Sequence, residues 1–451
     1  MKVFLYTLGC KLNQCESEAI ADAFVREGFS LVKQDDGAQL YIVNTCTVTG
    51  KAEQKARRMI RKFASEEQRP VVLVTGCYAQ MERELIEELG TNVVVVSLDD
   101  KPSLLGLPEF LANRLMANID LLEAIQTFVT AANQKKVEHS NSPFDYNAAT
   151  FSLHSRAFLK IQDGCDNACA YCRVTIARGS AKSLSAREVL QRVLALEHEG
   201  FSEIVLTGVN ISAYSSENYG LGGLLKLLLD QLGKNIRIRL SSLEPDTIDE
   251  ELLSIISDNR IQPHFHLPVQ SCSDVVLHRV NRNYPIEKVR TVVNQLRSVK
   301  DDPFIAADMI TGLPAETDEE FHKSLAFLRE MEFSQLHVFP FSPRPQTALF
   351  DAKDRVPEGI RDARAKMLRE LSAIQTRRYI DRQLGKHLEL LVEEKRKGSW
   401  TGVTGNYLKL LVVDPPESLK RGDTIIVEIQ YNTVGNHPVG KYLSFTNNTQ
   451  T

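Results

Sequence analysis

Short apolar runs that alternate with helical patterns are the feature that most limits the folds open to this chain. Through the first 100 residues, each apolar run is followed by a stretch with helical periodicity. Parallel strands joined by helices give this order, and a sheet covered on both faces buries its strands almost completely. We therefore predict an N-terminal parallel sheet with the strand sequences KVFLYTL, QLYIVNT, PVVLVT and NVVVVS.

A cysteine follows each of the first three predicted strands: Cys10, Cys46 and Cys77. All strands of an open parallel sheet end at the same edge, where ligands bind, so these thiols are expected to converge. Three converging thiolates indicate a [4Fe-4S] cluster with one iron that lacks a protein ligand. The alternative is that they are small buried residues at turns, since free cysteine is often buried as a modest hydrophobe. Position alone does not separate the two interpretations.

Three further cysteines lie close together in GCDNACAYC. Three residues separate Cys165 from Cys169 and two separate Cys169 from Cys172, a spacing that fits one [4Fe-4S] cluster. Such a cluster usually takes four thiolates, so one iron would stay open to bind another molecule. A structural zinc site would need a fourth Cys or His at close spacing. Cys15 and Cys272 are left over, and we predict no role for either.

A disulfide is disfavoured because we find neither a signal peptide nor an apolar run long enough to span a membrane. We therefore expect a cytoplasmic protein with reduced thiols and no membrane partner.

The alternation of strands and helices resumes after a polar, turn-rich segment that ends near residue 153. Six such units are too few to close an eight-stranded TIM barrel. We predict an open, partial (β/α)6 barrel with its site at the C-terminal ends of the strands. The predicted strands are FLKIQ, which leads into the cysteine loop, and EIVLTG, RIRLSS, HFHLPV, PFIAADMI and QLHVFPF.

The chain has 451 residues, too many for one ordinary hydrophobic core. Its last part contains short strands, HLELLVEE, NYLKLLVV and DTIIVEIQ, separated by GSWTG, DPPESLKRG and NTVGNHPVG. This pattern predicts a small antiparallel β-barrel of the OB type, a fold common among RNA-binding proteins. The predicted division is an N-terminal domain at 1–125, a linker at 126–150, the partial barrel at 151–380 and the small barrel at 381–446.

Around the cysteine loop the sequence resembles the radical S-adenosylmethionine (SAM) superfamily, whose motif is CxxxCxΦC with an aromatic residue at Φ, here Tyr171. Over essentially the whole chain, the domain order and six cysteines are similar to the methylthiotransferase branch of that superfamily. Two places depart from the family pattern. Arg173 and Thr175 stand in RVTIARGS where an apolar-proline-tyrosine run is usual, and Cys272 stands where Gly is usual, which puts the backbone conformation there in doubt. The motifs that carry the resemblance are TLGCKLNQCESE, VNTCTVT, TGCYAQ, GCDNACAYCRVTIARGS, LTGVNI, SSLEP, HLPVQS, DMITGLPAET and FPFSPRPQT.

The resemblance implies two [4Fe-4S] clusters and SAM as cofactors, and it identifies the C-terminal barrel as a TRAM domain. It assigns the SAM-binding cluster to Cys165, Cys169 and Cys172, and an auxiliary cluster to Cys10, Cys46 and Cys77. In this family one SAM methylates sulfur held at the auxiliary cluster. A second SAM, cleaved by one electron, yields a 5′-deoxyadenosyl radical. The electron donor would belong to the flavodoxin or ferredoxin class, while the sulfur donor is not indicated.

The most similar subgroup, judged from LKIQDGC, TGCYAQ and HVFPFSPRPQT, adds a methylthio group to C2 of N6-threonylcarbamoyladenosine at tRNA position 37, in the anticodon stem-loop. An aromatic C2–H is not acidic, so polar chemistry cannot replace it and a radical is required. The resemblance further implies SAM contacts from the Tyr171 backbone to the adenine, from Asn210 and Ser241 to polar groups, and from Arg279 to the carboxylate. For each of these, a structural role stays open.

Two basic surfaces are candidates for RNA binding, although the balance of 54 basic and 58 acidic residues gives no global sign of it. For each surface the alternative is a solvated face. The first is the helix after Cys46, with Lys51, Lys55, Arg58 and Lys62. The second surrounds the start of the small barrel and comprises Arg377, Arg378, Arg382, Lys395, Arg396 and Lys397.

Two groups of alternatives remain open. A sister enzyme would act on isopentenyladenosine in tRNA or on an aspartate of a ribosomal protein, with the same clusters. A protein of another class would be an RNA-binding or electron-transfer iron-sulfur protein without sulfur insertion. Such a protein would form no 5′-deoxyadenosine after reduction.

Overall fold

A computed structural model describes residues 1–32, 37–115, 119–135, 142–146, 155–396, 398–432 and 437–446. The predicted fold class is confirmed: an N-terminal parallel sheet, a central arc of parallel strands and a small C-terminal barrel follow one another along the chain. Within the described residues, no helix is both long enough and apolar enough to cross a membrane.

The N-terminal domain is built on a five-stranded sheet in the order β2-β1-β3-β4-β5, and every pair of neighbouring strands is parallel. The central strands β3 and β4 are buried along their whole length, as their continuous apolar sequences require. The elements are β1 (Lys2–Thr7), α1 (Lys11–Arg26), β2 (Ser30–Leu31), β3 (Leu40–Thr45), α2 (Gly50–Ala64), β4 (Val71–Gly76), α3 (Cys77–Met81), α4 (Arg83–Glu87), β5 (Val93–Val95), α5 (Leu107–Leu115) and α6 (Leu121–Lys135), with a 3-10 helix at Lys101–Leu105.

Six parallel strands form the central arc. Two three-stranded sheets, β12-β9-β6 and β13-β14-β15, are joined by isolated parallel bridges from Ile238 to Ile261 and from Ser242 to His266. The elements are β6 (Ala157–Lys160), β7 (Gln162–Asp163), α7 (Val174–Arg178), β8 (Lys182–Ser183), α8 (Ala186–His198), β9 (Glu203–Thr207), β10 (Ser215–Ser216), β11 (Tyr219–Gly220), α9 (Leu221–Gln231), β12 (Arg237–Leu240), α10 (Glu250–Ile256), β13 (His264–Gln270), α11 (Asp274–Arg279), α12 (Ile286–Val299), β14 (Phe304–Thr311), α13 (Asp318–Met331), β15 (Gln335–Pro340) and α14 (Glu358–Gln383), with 3-10 helices at Ile211–Ala213 and Pro245–Thr247.

The C-terminal barrel is closed in the order β16-β17-β18-β20-β19. Its strand pairs are antiparallel except β18 and β20, which are parallel. Two of the segments predicted to be separators contain strands, since GSWTG contributes to β17 and NTVGNHPVG to β20. The elements are β16 (His387–Arg396), β17 (Ser399–Thr404), β18 (Lys409–Val413), β19 (Thr424–Tyr431) and β20 (Pro438–Phe445).

Two helices run across predicted domain boundaries. Helix α6 continues past residue 126, the predicted start of the linker, and α14 continues past residue 380, the predicted end of the partial barrel. Residues 136–141 and 147–150 of the predicted linker lie outside the described residues.

Candidate active site between two cysteine triplets

The structure brings Cys10, Cys46 and Cys77 together at the carboxyl edge of the N-terminal sheet. They directly follow the loop or strand end of β1, β3 and β4, respectively. A Cβ atom placed on Gly9 would lie 3.1 Å from the Cys46 sulfur, so the chain beside Cys10 passes against that thiol. Burial, together with the nearby Cys10 and Cys77, raises the pKa of Cys46 to about 12. The three thiols therefore form one group, which we call the sheet-edge triplet.

Two glycines shape this edge. Gly9 and Gly76 have φ angles of +106° and +100°, which side-chain-bearing residues rarely adopt. A Cβ atom on Gly76 would lie 2.4 Å from the Thr45 carbonyl oxygen. Glycine at position 76 thus lets β4 turn directly into α3 and places Cys77 at the first position of that helix.

Cys165, Cys169 and Cys172 lie on one loop after β7, and we call them the loop triplet. The Cys165 amide donates to the Gly179 carbonyl at 3.1 Å, which closes the loop. Two backbone amides point at sulfur: Asn167 N–H toward Cys165 and Val174 N–H toward Cys172, each at 3.4 Å. Burial and the two neighbouring thiols raise the pKa of Cys172 to about 11. Amides directed at sulfur are a usual support for iron-sulfur ligands.

A pocket of about 190 Å³ lies between the two domains, next to both triplets. One wall contains Val48 and Thr49, directly after Cys46 and Thr47, and the other contains Tyr171 to Val174, including Cys172. Exposed apolar side chains face this region, among them Val48 and Phe339. The remaining lining comes from the carboxyl ends of the central strands and their loops: Gln270, Asp308, Ile310 and residues 339–342.

Asp308 joins this pocket to a polar group that the sequence analysis missed. Its Oδ1 lies 2.8 Å from His266 Nε2 and 3.2 Å from His337 Nδ1. Although burial opposes ionisation, these hydrogen bonds lower the pKa of Asp308 to about 2. The ligand atoms of the three residues lie within 4.8 Å of one another, a spacing that can also hold a metal ion. Only strand register could have revealed the set, because Asp308 and His337 are paired across β14 and β15.

Two buried arginines that follow Cys172 join the segment of the loop triplet to the N-terminal domain. Arg178 donates to the Cys77 sulfur at 3.2 Å, to Asn13 Oδ1 at 3.0 Å and to Asp163, and its side chain is 2% exposed. Arg173 donates to Glu82 at 2.7 Å and to Glu53 at 3.3 Å. Arg173 departs from the family pattern, and these two carboxylates of the N-terminal domain account for it.

The charges around Arg178 leave a positive excess beside the sheet-edge triplet. Glu16 pairs with Arg178, Lys101 and Lys160, and Asp163 pairs with Arg178 and Lys160. Burial opposes ionisation of Glu16, but the three cations hold the pKa of this carboxyl well below its usual range. Arg178 acts to lower the pKa of the neighbouring Cys77 and Cys46 thiols, although burial raises it overall.

Of the residues expected to contact SAM, Asn210 and Ser241 have the environment of ligand-binding groups. The Oδ1 of Asn210 and the Oγ of Ser241 are buried without a hydrogen-bond partner among the described residues. Tyr171 lines the pocket. Arg279, in contrast, forms a bidentate ion pair with Asp354 at the surface, with both distances 2.9 Å.

Arg282 and Glu244 are the charged pair that lies beside the loop triplet, and the sequence analysis named neither. The two side chains form a buried ion pair. Arg282 is close enough to Cys169 to lower the pKa of that thiol, although burial raises it overall. Helix α11 ends at Arg279, so Arg282 lies in the loop beyond it.

The two leftover cysteines lie in the core. Cys15 is 3% exposed and its thiol donates to the Phe158 carbonyl at 3.2 Å. Cys272 is also 3% exposed, and burial raises the pKa of its thiol. The left-handed residue near it is Gln270, with φ +67°, so the backbone at Cys272 does not require glycine.

The predicted RNA-binding residues differ in availability. Lys51, Lys55, Arg58 and Lys62 are all exposed on α2. Arg377, Arg378, Arg382 and Arg396 are engaged in ion pairs with Asp381, Glu332, Asp302 and Glu394. Lys395 lies over the Trp400 ring at 5.8 Å. Lys397 is outside the described residues.

Comparison with known proteins identifies two of the domains and several relatives. Residues 159–328 match the radical SAM superfamily, and residues 2–97 match a family described as uncharacterized protein family UPF0004. The protein named threonylcarbamoyladenosine tRNA methylthiotransferase MtaB from Treponema pallidum (strain Nichols) is 37% identical over 459 residues, covering 91% of this chain and 94% of the relative. The protein of the same name from Bacillus subtilis (strain 168) is 32% identical over 418 residues, covering 91% and 90%.

A solved structure supports the fold alone. The radical S-adenosylmethionine methyltransferase TsrM from Kitasatospora setae, with tryptophan substrate and a SAM analog bound, superposes with a TM-score of 0.52 at 14% sequence identity. The match covers 75% of this chain and 72% of TsrM. Radical SAM enzymes use a [4Fe-4S] cluster and SAM. The domain matches and the full-length relatives show that this chain belongs to the radical SAM methylthiotransferase family and is most like its MtaB-type members.

Proposed function

We propose that this protein adds a methylthio group to C2 of N6-threonylcarbamoyladenosine at position 37, in the anticodon stem-loop of tRNA. The observation that carries the proposal is the pocket between two cysteine triplets, with Cys172 in its wall and the residues after Cys46 opposite. The names of relatives more than 30% identical over about nine-tenths of the chain supply the substrate.

The donor sets fit two [4Fe-4S] clusters and SAM. Each triplet offers three free thiols, and the loop triplet has amides directed at two of its sulfurs. The unpartnered oxygens of Asn210 and Ser241 suit the polar groups of SAM. When bound, these groups supply a methylated sulfur and a 5′-deoxyadenosyl radical, with electrons from a flavodoxin- or ferredoxin-class donor.

The protein's own residues hold and shield the reactants. Val48, Ile310 and Phe339 give the pocket apolar walls that pack against a flat base and exclude water, which protects a radical from side reactions. Asp308 and Gln270 add polar groups that can hydrogen-bond the modified adenosine. Arg178, at the end of the helix that follows the loop triplet, donates to the Cys77 sulfur of the sheet-edge triplet.

Nucleoside mass spectrometry tests the proposal. Reconstituted protein, SAM, sulfide and a reductant are incubated anaerobically with tRNA that carries threonylcarbamoyladenosine without the methylthio group, and the tRNA is digested. We expect the methylthio derivative. Formation of 5′-deoxyadenosine without this product would indicate that the substrate is isopentenyladenosine or a ribosomal-protein aspartate instead. Absence of 5′-deoxyadenosine would exclude the enzyme class.

A further inference from the structure

A cavity of about 430 Å³ lies where all three domains meet, away from the pocket between the triplets. Lys11 and Gln14 of α1 line it from the N-terminal domain, Arg156 lines it from the start of the central arc, and Tyr407 and Lys409 line it from the C-terminal barrel. Lys409 is exposed, so the cavity reaches the surface. We call it the junction cavity.

Four cations surround the ring of Tyr407 at the junction cavity. The distances to the ring centre are 5.5 Å for Lys11 Nζ, 5.8 Å for Lys409 Nζ, 5.7 Å for Arg156 Cζ and 5.1 Å for Arg239 Cζ. Tyr407 also stacks on His264 with ring centres 4.0 Å apart, and its φ of +67° is unusual for a tyrosine. Backbone strain of this kind is kept where the surrounding structure holds a site in place.

The cations outnumber the carboxylates that neutralise them. Glu203 binds Arg239 at 2.7 Å, and Glu393 binds Arg156 at 2.7 Å. Glu394 is paired with Arg396. Lys11 and Lys409 make no ion pair within the part of the chain that the structure describes. Two positive charges therefore remain uncompensated at the cavity.

Two further groups at the cavity have N–H donors without a hydrogen-bond acceptor among the described residues. Arg156 is 7% exposed, and its Nε and Nη1 have no hydrogen-bond acceptor among the described residues, although Nη1 lies 3.9 Å from Glu203 Oε1. Lys11 is the first residue of the 16-residue helix α1, whose N-cap makes no side-chain hydrogen bond and whose first turn holds no acidic residue. A helix start of this kind favours an anion.

We propose that the junction cavity binds phosphate groups of the tRNA backbone. Arginine and lysine side chains, unfilled donors and a helix start are the groups that bind phosphate, and Tyr407 adds a ring on which a base or ribose can pack. Lys11 directly follows Cys10, so the cavity lies on the same helix end as the sheet-edge triplet. The inference rests on the proposed function, because it takes tRNA as the ligand.

Salt-dependent binding of tRNA to the full-length, reconstituted protein tests this site. Fluorescence anisotropy gives the affinity over a series of KCl concentrations for the wild type and for Lys11→Gln/Lys409→Gln. Each lost phosphate contact lowers the slope of log affinity against log salt by roughly 0.7–0.9, so we expect the double variant to lose roughly 1.4–1.8. Lys226→Gln/Lys366→Gln, which changes two exposed lysines on the outer helices α9 and α14, should keep the wild-type slope.

Lysine acetylation, read by peptide mass spectrometry on wild-type protein, keeps the test independent of how the variants fold. We expect tRNA to protect Lys11 and Lys409 and to leave Lys226 equally reactive. A wild-type slope in the Lys11/Lys409 variant, or unchanged labelling of both lysines, overturns the junction site while tRNA binding stands. Failure of the wild type to bind tRNA at low salt overturns the proposed function and this inference together.

Discussion

The two cysteine triplets differ in how their members come together. The loop triplet spans eight residues, Cys165 to Cys172, and its geometry is set by local hydrogen bonds such as Cys165 N–H to the Gly179 carbonyl. The sheet-edge triplet spans residues 10 to 77, and its members meet because three parallel strands end at one edge. The loop triplet therefore depends on local sequence, whereas the sheet-edge triplet depends on the packing of a whole domain.

The first way to test this difference is Cys169→Ala. Removing one loop thiol should abolish 5′-deoxyadenosine formation and with it methylthiolation, because both reactions need the SAM-binding cluster. Liquid chromatography of the reaction mixture measures both products. Cys272→Ala is the matched control: this buried cysteine belongs to no triplet and should retain both activities. Substantial 5′-deoxyadenosine from Cys169→Ala would remove the role given to the loop triplet.

Cys46→Ala should separate the two triplets. The sheet-edge cluster is expected to be lost and about half of the iron with it, while 5′-deoxyadenosine is still formed and the methylthio product is not. Iron analysis and nucleoside mass spectrometry are the measurements. Methylthiolation by this variant would show that the sheet-edge triplet does not carry the auxiliary cluster.

Arg178→Gln tests the connection between the triplets. The change removes a buried cation from Glu16 and Asp163 and an N–H donor from Cys77. Loss of one partner of a buried ion pair costs about 3–5 kcal/mol, which urea denaturation would measure. The reduction potential of one cluster should shift as well, because hydrogen bonds to ligand sulfur tune it.

The control for Arg178→Gln is Arg396→Gln, which breaks a surface ion pair with Glu394. That loss should cost no more than about 1 kcal/mol. Equal destabilisation by the two variants would mean that the buried network contributes little to joining the domains.

Gly76→Ala tests whether the sheet-edge triplet depends on backbone shape. The backbone at this position is left-handed, and a methyl group there would meet the Thr45 carbonyl oxygen at 2.4 Å. We therefore expect the free energy of unfolding to fall by about 1–3 kcal/mol and Cys77 to be displaced. Gly200 has a similar φ of +87° but open space around its Cβ position. Gly200→Ala should therefore lower the free energy of unfolding by only about 1 kcal/mol. Urea denaturation compares the two, and a larger effect at Gly200 would contradict the steric argument.

The smallest expected effect is the order in which thiols react with iodoacetamide in the cluster-free protein. Only the thiolate reacts, and below a thiol's pKa the thiolate fraction rises about tenfold per pH unit. Exposed Cys10 should react first, then Cys172 with its pKa of about 11, and last buried Cys46 with its pKa of about 12. Peptide mass spectrometry between pH 8 and 10 follows the order. Faster labelling of Cys46 than of Cys10 would mean that solvent reaches Cys46 at the carboxyl edge of the N-terminal sheet.

Much of the site was predictable because it follows from local rules. The spacing of Cys165, Cys169 and Cys172 indicated a cluster, and the shared edge of parallel strands predicted the meeting of Cys10, Cys46 and Cys77. Other features depend on partners that lie far apart in the chain. Arg178 is 101 residues from Cys77, Asp308 is 42 from His266, and no periodicity links Lys11 to Tyr407.

Side-chain partners and short strands were other features that the sequence did not reveal. Arg279, which was expected to contact SAM, pairs with Asp354 in the structure, and Arg282 lies beside Cys169. Strands β17 and β20 include residues whose glycines and turn formers predicted loops, because closure of a barrel supplies hydrogen-bond partners on both sides of such segments.

The sequence by itself determined the order of three domains and the chemistry that a cysteine spacing can support, because these follow from periodicity and ligand number. The family followed from the resemblance of its motifs. Only the tertiary structure decided which charges meet. The ion network at Arg178, the Asp308 group and the junction cavity each join residues from separate elements, and within the buried Arg178 network water no longer screens the charges.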